Sequence, residues 1–255
     1  GEISVIANAE VRNNGGMSKG VITNLSGPVP ALQRAMLEID KISGKSLDNA
    51  YTSINGSHVG AVKTQGMISI MGGEVISNND LGRIREISLA GVIPNNREAL
   101  AIIPLNYTVD GQSGIRDPLG MNGMKLEMQA SVVSALTPSC VNLRKLTGEA
   151  GIETDRIVPT AMAAARLVLT EQQKENGVAL VDFGASTTSV AVFMDGFLQH
   201  YEVLNAGANN ITNDLAIGLA VNPSIAEEIK LRYVSADFPE SDRQITTKIA
   251  DETVS

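Results

Sequence analysis

Residues 178–197 constrain what this chain can fold into more than any other stretch. Val178-Ala179-Leu180-Val181-Asp182-Phe183 is an apolar run bounded by small polar residues, the pattern of a buried strand. A second run, residues 189–194, closes on Asp195-Gly196, a dipeptide that favours the tight turns of β-hairpins. The spacing predicts paired strands, with the small residues Gly184, Ala185, Ser186, Thr187 and Thr188 at the turn between the first two.

Such a turn has a chemical use. Gly184 lacks a Cβ and Ala185 carries only a methyl, so backbone N–H groups can approach an anion closely, and the hydroxyls of the next three residues add donors. Asp182, at the end of the strand, would face the same anion, which makes sense only with a cation or water between them. Together these point to a nucleotide phosphate with Mg2+, and to Asp182 as the residue on the metal side. The alternative is an ordinary hairpin whose small-residue turn is structural and whose Asp182 is a local cap. A lone glycine-containing turn does not separate the two.

Composition narrows the partners. The 255 residues are 43% hydrophobic, enough to bury a sizeable core. A net charge of −8 without basic clusters argues against nucleic acid and against direct electrostatic adhesion to anionic lipid. The lack of Trp, with four Tyr and four Phe, argues against a base-stacking platform. The single Cys140 excludes an internal disulfide, and His58 and His200, the only histidines, exclude a His-rich metal site. Both histidines are expected at strand ends, solvated or satisfied. No run approaches the roughly 20 apolar residues of a membrane span and no signal peptide opens the chain, so a cytoplasmic protein is expected. The first residue is Gly1 rather than Met, and the polar residues 235–255 offer no closing core element, so a fragment is expected.

In chain order, residues 3–11 read as a strand followed by the turn Asn13-Asn14-Gly15-Gly16. Val29, Leu32, Met36 and Ile39 step by three and four between Pro28 and Gly44, an amphipathic helix with a proline start and a glycine stop. Residues 50–54 and 59–70 read as strands. A second unit begins near Gly72-Gly73, with Ser77 capping a helix over residues 78–90. Residues 99–104 and 107–110 are two short strand candidates, and residues 111–123 a loop. Leu126, Met128, Ala130 and Val132 alternate with polar residues, as in a strand with one solvated face. Thr137-Pro138 opens a helix with Val141, Leu143, Leu146 and Ala150 inward. A short strand (152–158), an Ala-rich helix (160–169) and a polar connector (171–177) lead to the hairpin. Beyond it, Gly207 turns into a helix, and Asn222-Pro223 opens another that carries Glu227 and Lys230 three apart.

The order of small-residue hairpin, Gly207 turn into a helix, and helix with Glu227 and Lys230 resembles the second half-site of the actin-like ATPases. Within that superfamily the wording GVALVDFGASTTSVAVFMDGFLQH, NAGANNITNDLAIGL and AEEIK resembles the bacterial cell-division FtsA family. The tract from Ile103 to Ile115, with Pro118-Leu119-Gly120-Met121, is the most family-specific, and the resemblance extends over nearly the whole chain. It implies an α/β, actin-like (ribonuclease H-like) two-lobe fold with an inserted small α+β domain, incomplete at both ends. The first lobe (subdomain IA) would be residues 1–71 and 134–175, the insert (IC) 72–133, and the start of the second lobe (IIA) 176–255.

The resemblance also implies a function. ATP and Mg2+ would sit at the hairpin, with Asp182 approaching the metal and its waters, Gly184 to Thr188 holding the phosphates, Gly207 opening the next helix, and Glu227 and Lys230 near ribose and base. The plain reading of Glu227 and Lys230 is a solvated ion pair worth a few tenths of a kcal/mol. FtsA-like proteins polymerise into filaments and tether the C-terminal tail of FtsZ to the inner face of the cell membrane at the division site. Other divisome partners would meet the insert, and the family's membrane-anchoring C-terminal helix matches nothing in these residues. Two departures stand out. The usual loop has three successive glycines and an Asp after its Thr pair, where this chain has Gly184-Ala185-Ser186 and Ser189. Hydrolytic relatives place a water-positioning Glu where this chain has Thr160, so feeble hydrolysis or none is expected. The related pilus-assembly (PilM-type) proteins and the sugar or acetate kinases are the alternatives. A kinase needs a cleft carboxylate as base, and Asp110 and Asp117, the acids near loop-rich tracts, fall in the insert.

Overall fold

The computed structural model describes residues 4–71 and 74–237, and the backbone of 247–249 and 252–254. Residues 4–13 form no strand, although the apolar pattern over 3–11 predicts one. Val5 and Ile6 are exposed, and no strand among the described residues pairs with the segment, so its backbone has no ladder to join. The small ribbon β1 (Met17–Ser18) and β2 (Val21–Ile22) follows. Helix α1 (Pro28–Ser43) starts at its proline and stops at Gly44 in a left-handed conformation, as its sequence requires. Strand β3 (Asn49–Ile54) leads into β4 (Gly60–Ser69).

Helix α2 (Asn78–Leu89) begins with a full capping box, in which the Ser77 side chain and Asp80 serve each other's backbone N–H. The two short strands expected over 99–110 are one strand, β5 (Arg97–Val109). Its ladder to β7 slips between Ala99 and Ala101 and again between Pro104 and Asn106, and such a bulge accommodates a proline that cannot donate. Asp110 and Gly111, both at positive φ, turn β5 into β6 (Gln112–Ile115), an element inside the expected loop. Strand β7 (Lys125–Leu136) alternates as expected up to Ala130, then is buried on both faces through Ala135.

Helix α3 (Thr137–Ala150) buries Cys140, Leu143, Leu146 and Thr147, whereas Val141, expected inward, is 52% exposed. Cys140, not Val141, shares the face with Leu143 and Thr147 at steps of three and four. Strand β8 (Glu153–Pro159) runs parallel to β3, and α4 (Thr160–Val168) packs Ala161 and Ala165 against the core. The expected connector is a short helix, α5 (Glu171–Asn176), with its own capping box at Thr170. Then come β9 (Val178–Phe183), β10 (Thr188–Met194) and β11 (Phe197–Leu204), the last two joined by Asp195 and Gly196 at positive φ. Helices α6 (Ala208–Gly218) and α7 (Pro223–Tyr233) pack on each other. The polar end carries an antiparallel backbone pair, β12 (Thr247–Ile249) and β13 (Glu252–Val254).

Seven strands form one antiparallel sheet in the order β6-β5-β7-β4-β11-β10-β9. Two cores result. One, centred on Leu126, Met128, Ile84 and Tyr107, lies under α2; the other joins Ile54, Ile157, Ala161, Leu143, Val133, Phe193 and Tyr201. Strand β7 belongs to both. Arg116, just past β6, reaches across to α5, making two hydrogen bonds to Glu175 at 2.9 and 3.0 Å and lying over the Phe197 ring.

His200 on β11 is exposed and faces Glu202 at 3.3 Å. His58 sits just before β4 but is neither solvated nor satisfied. Both its ring nitrogens are buried without a hydrogen-bond partner, beside a cavity of about 160 Å³ lined by Asn55, Ser139 and Thr160. Burial, and secondarily the Arg97 guanidinium, push its pKa below the usual histidine value.

Candidate functional site

The hairpin forms as its sequence dictates. Strands β9 and β10 pair with Asp182 opposite Ser189 and Phe183 opposite Thr188, leaving residues 184–187 as the turn. The Gly184 N–H closes it on the Thr187 carbonyl at 2.9 Å. The carbonyls of Gly184 and Ala185 accept from the N–H groups of Ala208 and Asn209, at 3.0 and 2.7 Å, so the turn is seated on the first turn of α6. In a trans peptide N–H and C=O point opposite ways. The N–H groups of Ala185 and Ser186 therefore point away from α6, available to an anion.

Gly207 permits this seat. A Cβ there would lie 2.5 Å from the Gly184 oxygen and 2.7 Å from the Ala185 oxygen, both backbone atoms. Its own N–H is engaged by Asn210 Oδ1 at 3.0 Å. Gly207 thus acts as the spacer that lets loop and helix touch.

The four hydroxyls of the turn divide by hydrogen-bond direction. Ser186 Oγ accepts from Asn209 Nδ2 at 3.0 Å, and Thr187 Oγ1 accepts from Asn55 Nδ2 at 3.2 Å, so both keep a proton to donate. Thr188 Oγ1 donates to the Ala206 carbonyl at 2.7 Å, and Ser189 Oγ donates to Asn55 Oδ1 at 3.2 Å, so neither has one left. Asp182 is half-buried at the turn's edge. Its charge adds to the burial that pushes the Tyr201 phenol up to about 12, which marks Asp182 and Tyr201 as neighbours on one sheet face.

Glu227 and Lys230 lie apart from the turn's hydroxyls but are tied to the same helix start. Lys230 Nζ donates to Glu227 Oε2 at 2.6 Å, Thr212 Oγ1 at 2.9 Å and Ala208 O at 3.3 Å, and is largely buried. All three ammonium protons are engaged, so Lys230 staples α7 to α6. Glu227 Oε2 also accepts from Thr212; these two partners, Lys230 first, hold its carboxyl below the usual range. Its other oxygen remains open on a half-exposed side chain.

Sequence reading missed Asn55 and Asn209, which fix two of the hydroxyls. The Asn55-Gly56 dipeptide after β3 reads only as a turn, and no local pattern shows what its side chain meets. Thr160, at the start of α4, donates to the Ile54 carbonyl at 3.1 Å and so secures the same loop. Among the described residues no group of three acids, histidines or cysteines surrounds a metal-sized site. A lone carboxylate fits Mg2+ bound mainly through phosphate and water.

Comparison with known proteins agrees with this architecture. A family model described as the SHS2 domain inserted in FtsA matches residues 56–134, and the model for cell division protein FtsA matches residues 179–254. The cell division protein FtsA of Pseudomonas aeruginosa is 35% identical over 241 residues, 92% of this chain and 58% of that protein. FtsA of Bacillus subtilis is 30% identical over 227 residues, 89% of this chain and 52% of that protein. The chain spans about half the length of the curated relatives it matches. The PilM–PilN type IV pilus biogenesis complex contains a chain of the same fold, with a TM-score of 0.61 at 15% identity, covering 87% of this chain and 60% of that one. The fold is actin-like with an SHS2 insert, and the chain belongs to the FtsA family of cell-division proteins.

Proposed function

We propose that the protein is a nucleotide-dependent assembly protein of the division site. It binds ATP with Mg2+ at the β9–β10 turn, self-associates into filaments, meets other divisome proteins through the insert, and links the C-terminal tail of FtsZ to the inner face of the cell membrane. Membrane contact in this reading belongs to a helix outside these residues; among the described residues no helix is long and apolar enough to cross a membrane. The observation that carries the nucleotide part is the unengaged donor set. The Ala185 and Ser186 N–H groups and the Ser186 and Thr187 hydroxyls each keep a proton to donate, in the turn beside Asp182. ATP would supply the phosphates those donors hold, Asp182 would face the metal, and the open oxygen of Glu227 would accept from ribose hydroxyls. Lys230 and Gly207 act by holding α6 and the turn in place.

The division into a first lobe (1–71 and 134–175), an insert (72–133) and a second lobe (176–255) is part of this proposal. Strand β4 is then the shared element, since it pairs with β7 and, through Gly60, with Glu202 of β11. A pilus-assembly role shares the fold, but both family models that match favour division.

Two expected outcomes test the reading. An FtsZ C-terminal peptide binds the protein by fluorescence anisotropy, and the signal is absent with a scrambled peptide; equal binding of both refutes the tether. ATP hydrolysis, measured as phosphate release at concentrations that allow assembly, is feeble. Thr160 stands where a water-positioning carboxylate belongs and its hydroxyl is engaged by Ile54, so turnover in the ordinary enzyme range of about 1–1000 per second contradicts the assignment.

A further inference from the structure

We infer that Asn55 is a positioning residue that latches the loop after β3 to the phosphate turn, presets Thr187 as a hydrogen-bond donor, and relays occupancy of the turn to the β3–β8 unit. The observation is the paired geometry of one amide. Asn55 Nδ2 donates to Thr187 Oγ1 at 3.2 Å while its Oδ1 accepts from Ser189 Oγ at 3.2 Å and from the Gly56 N–H at 2.9 Å. The amide oxygen is held by two donors, so the amide is fixed in one orientation and its NH2 faces Thr187. Thr187 must then accept from Asn55 and direct its own proton elsewhere. Ser189, 0% exposed, gives its proton to Asn55 Oδ1; a carboxylate at position 55 would lose the donor to Thr187 and set a negative charge against the Thr187 oxygen.

The latch is reinforced on the same loop. Asn205 Nδ2, just past β11, donates to Ser57 Oγ at 2.9 Å, and Gly60 pairs with Glu202. Thr160 ties Ile54 to the start of α4. Movement of the turn is therefore passed through Asn55 to β3 and α4. The preset and the latch stand on geometry alone; only the relay rests on the phosphate reading.

Backbone hydrogen exchange on the protein separates these parts. Without nucleotide, Asn55→Ala removes both cross-loop bonds, so the strand amides of residues 188–190, which are held in the ladder, exchange about tenfold faster while those of 126–130 are unchanged. Ser189→Ala, which keeps the bond to Thr187, gives a smaller rise and serves if Asn55→Ala fails to fold. Unchanged exchange at 188–190 overturns the latch. With Mg-ATP added, the wild type slows exchange at both 185–189 and 55–60, whereas Asn55→Ala slows it at 185–189 alone. An equal response at 55–60 in the variant overturns the relay. No response to Mg-ATP at 185–189 in the wild type refutes the phosphate reading instead, and the nucleotide-free comparison still decides the latch.

Discussion

Gly207→Ala is expected to lose about 2–3 kcal/mol of stability, lowering Tm by roughly 4–10 °C, and to weaken nucleotide binding at the adjoining turn. The cause is steric. The backbone at Gly207 is extended, with φ of −169°, which any residue adopts, so no conformational strain enters. A methyl would instead meet two carbonyl oxygens and a carbonyl carbon of residues 184 and 185 at 2.5–2.8 Å. These are backbone atoms already held by Ala208 and Asn209, so relief requires lifting the turn off α6 and giving up both hydrogen bonds. Gly218→Ala, at the other end of the same helix, is the control: nothing lies within 4 Å of its added Cβ, and alanine favours the helix. Thermal unfolding of the two variants checks this. Equal midpoints would mean that the turn does not rest on the helix.

Leu126→Ala is expected to cost more, about 3–5 kcal/mol, at the upper part of the range for fully buried leucines. Leu126 is 0% exposed and stands on β7 opposite Ile68 of β4 and Val109 of β5, beneath Ile84 of α2. The strand continues without interruption into Val133 and Ala135 of the other core. Damage to the insert core therefore reaches the unit that carries the turn, and denaturant unfolding should show one shifted transition for both. Two separated transitions would show the cores to be independent. Val141→Ala on the exposed face of α3 changes stability by less than about 0.5 kcal/mol.

Much of this architecture was legible because its signals are local. The caps at Ser77 and Pro28, the glycine stops at Gly44 and Gly151, and the Asp195-Gly196 turn each act within a few residues, and each element formed where those residues stand. Non-local determinants were not legible. Pro104 reads as a strand end, yet β5 runs through it because bulges against β7 absorb the missing donor. Residues 4–13 carry a strand pattern with nothing to pair with among the described residues. In the site, the small residues announce a turn, but which hydroxyls keep a proton depends on Asn55, 132 and 134 positions away in sequence. Lys230 likewise reads as a ligand for nucleotide until its three protons are traced to acceptors within α6 and α7. The Arg116–Glu175 contact, 59 positions apart, had no sequence signal at all.

Calorimetric titration of the protein with ATP and Mg2+, wild type beside Asp182→Ala, tests the central claim most directly. The Asp182 side chain makes no hydrogen bond or ion pair among the described residues, so its removal leaves the hairpin folded and takes away only the charge that would face the metal. The account predicts saturable binding by the wild type and at least a hundredfold weaker binding by the variant, with Tm of the nucleotide-free proteins unchanged. Equal affinity in the two proteins would contradict it and would leave the Gly184–Thr188 turn as a structural feature of an actin-like scaffold.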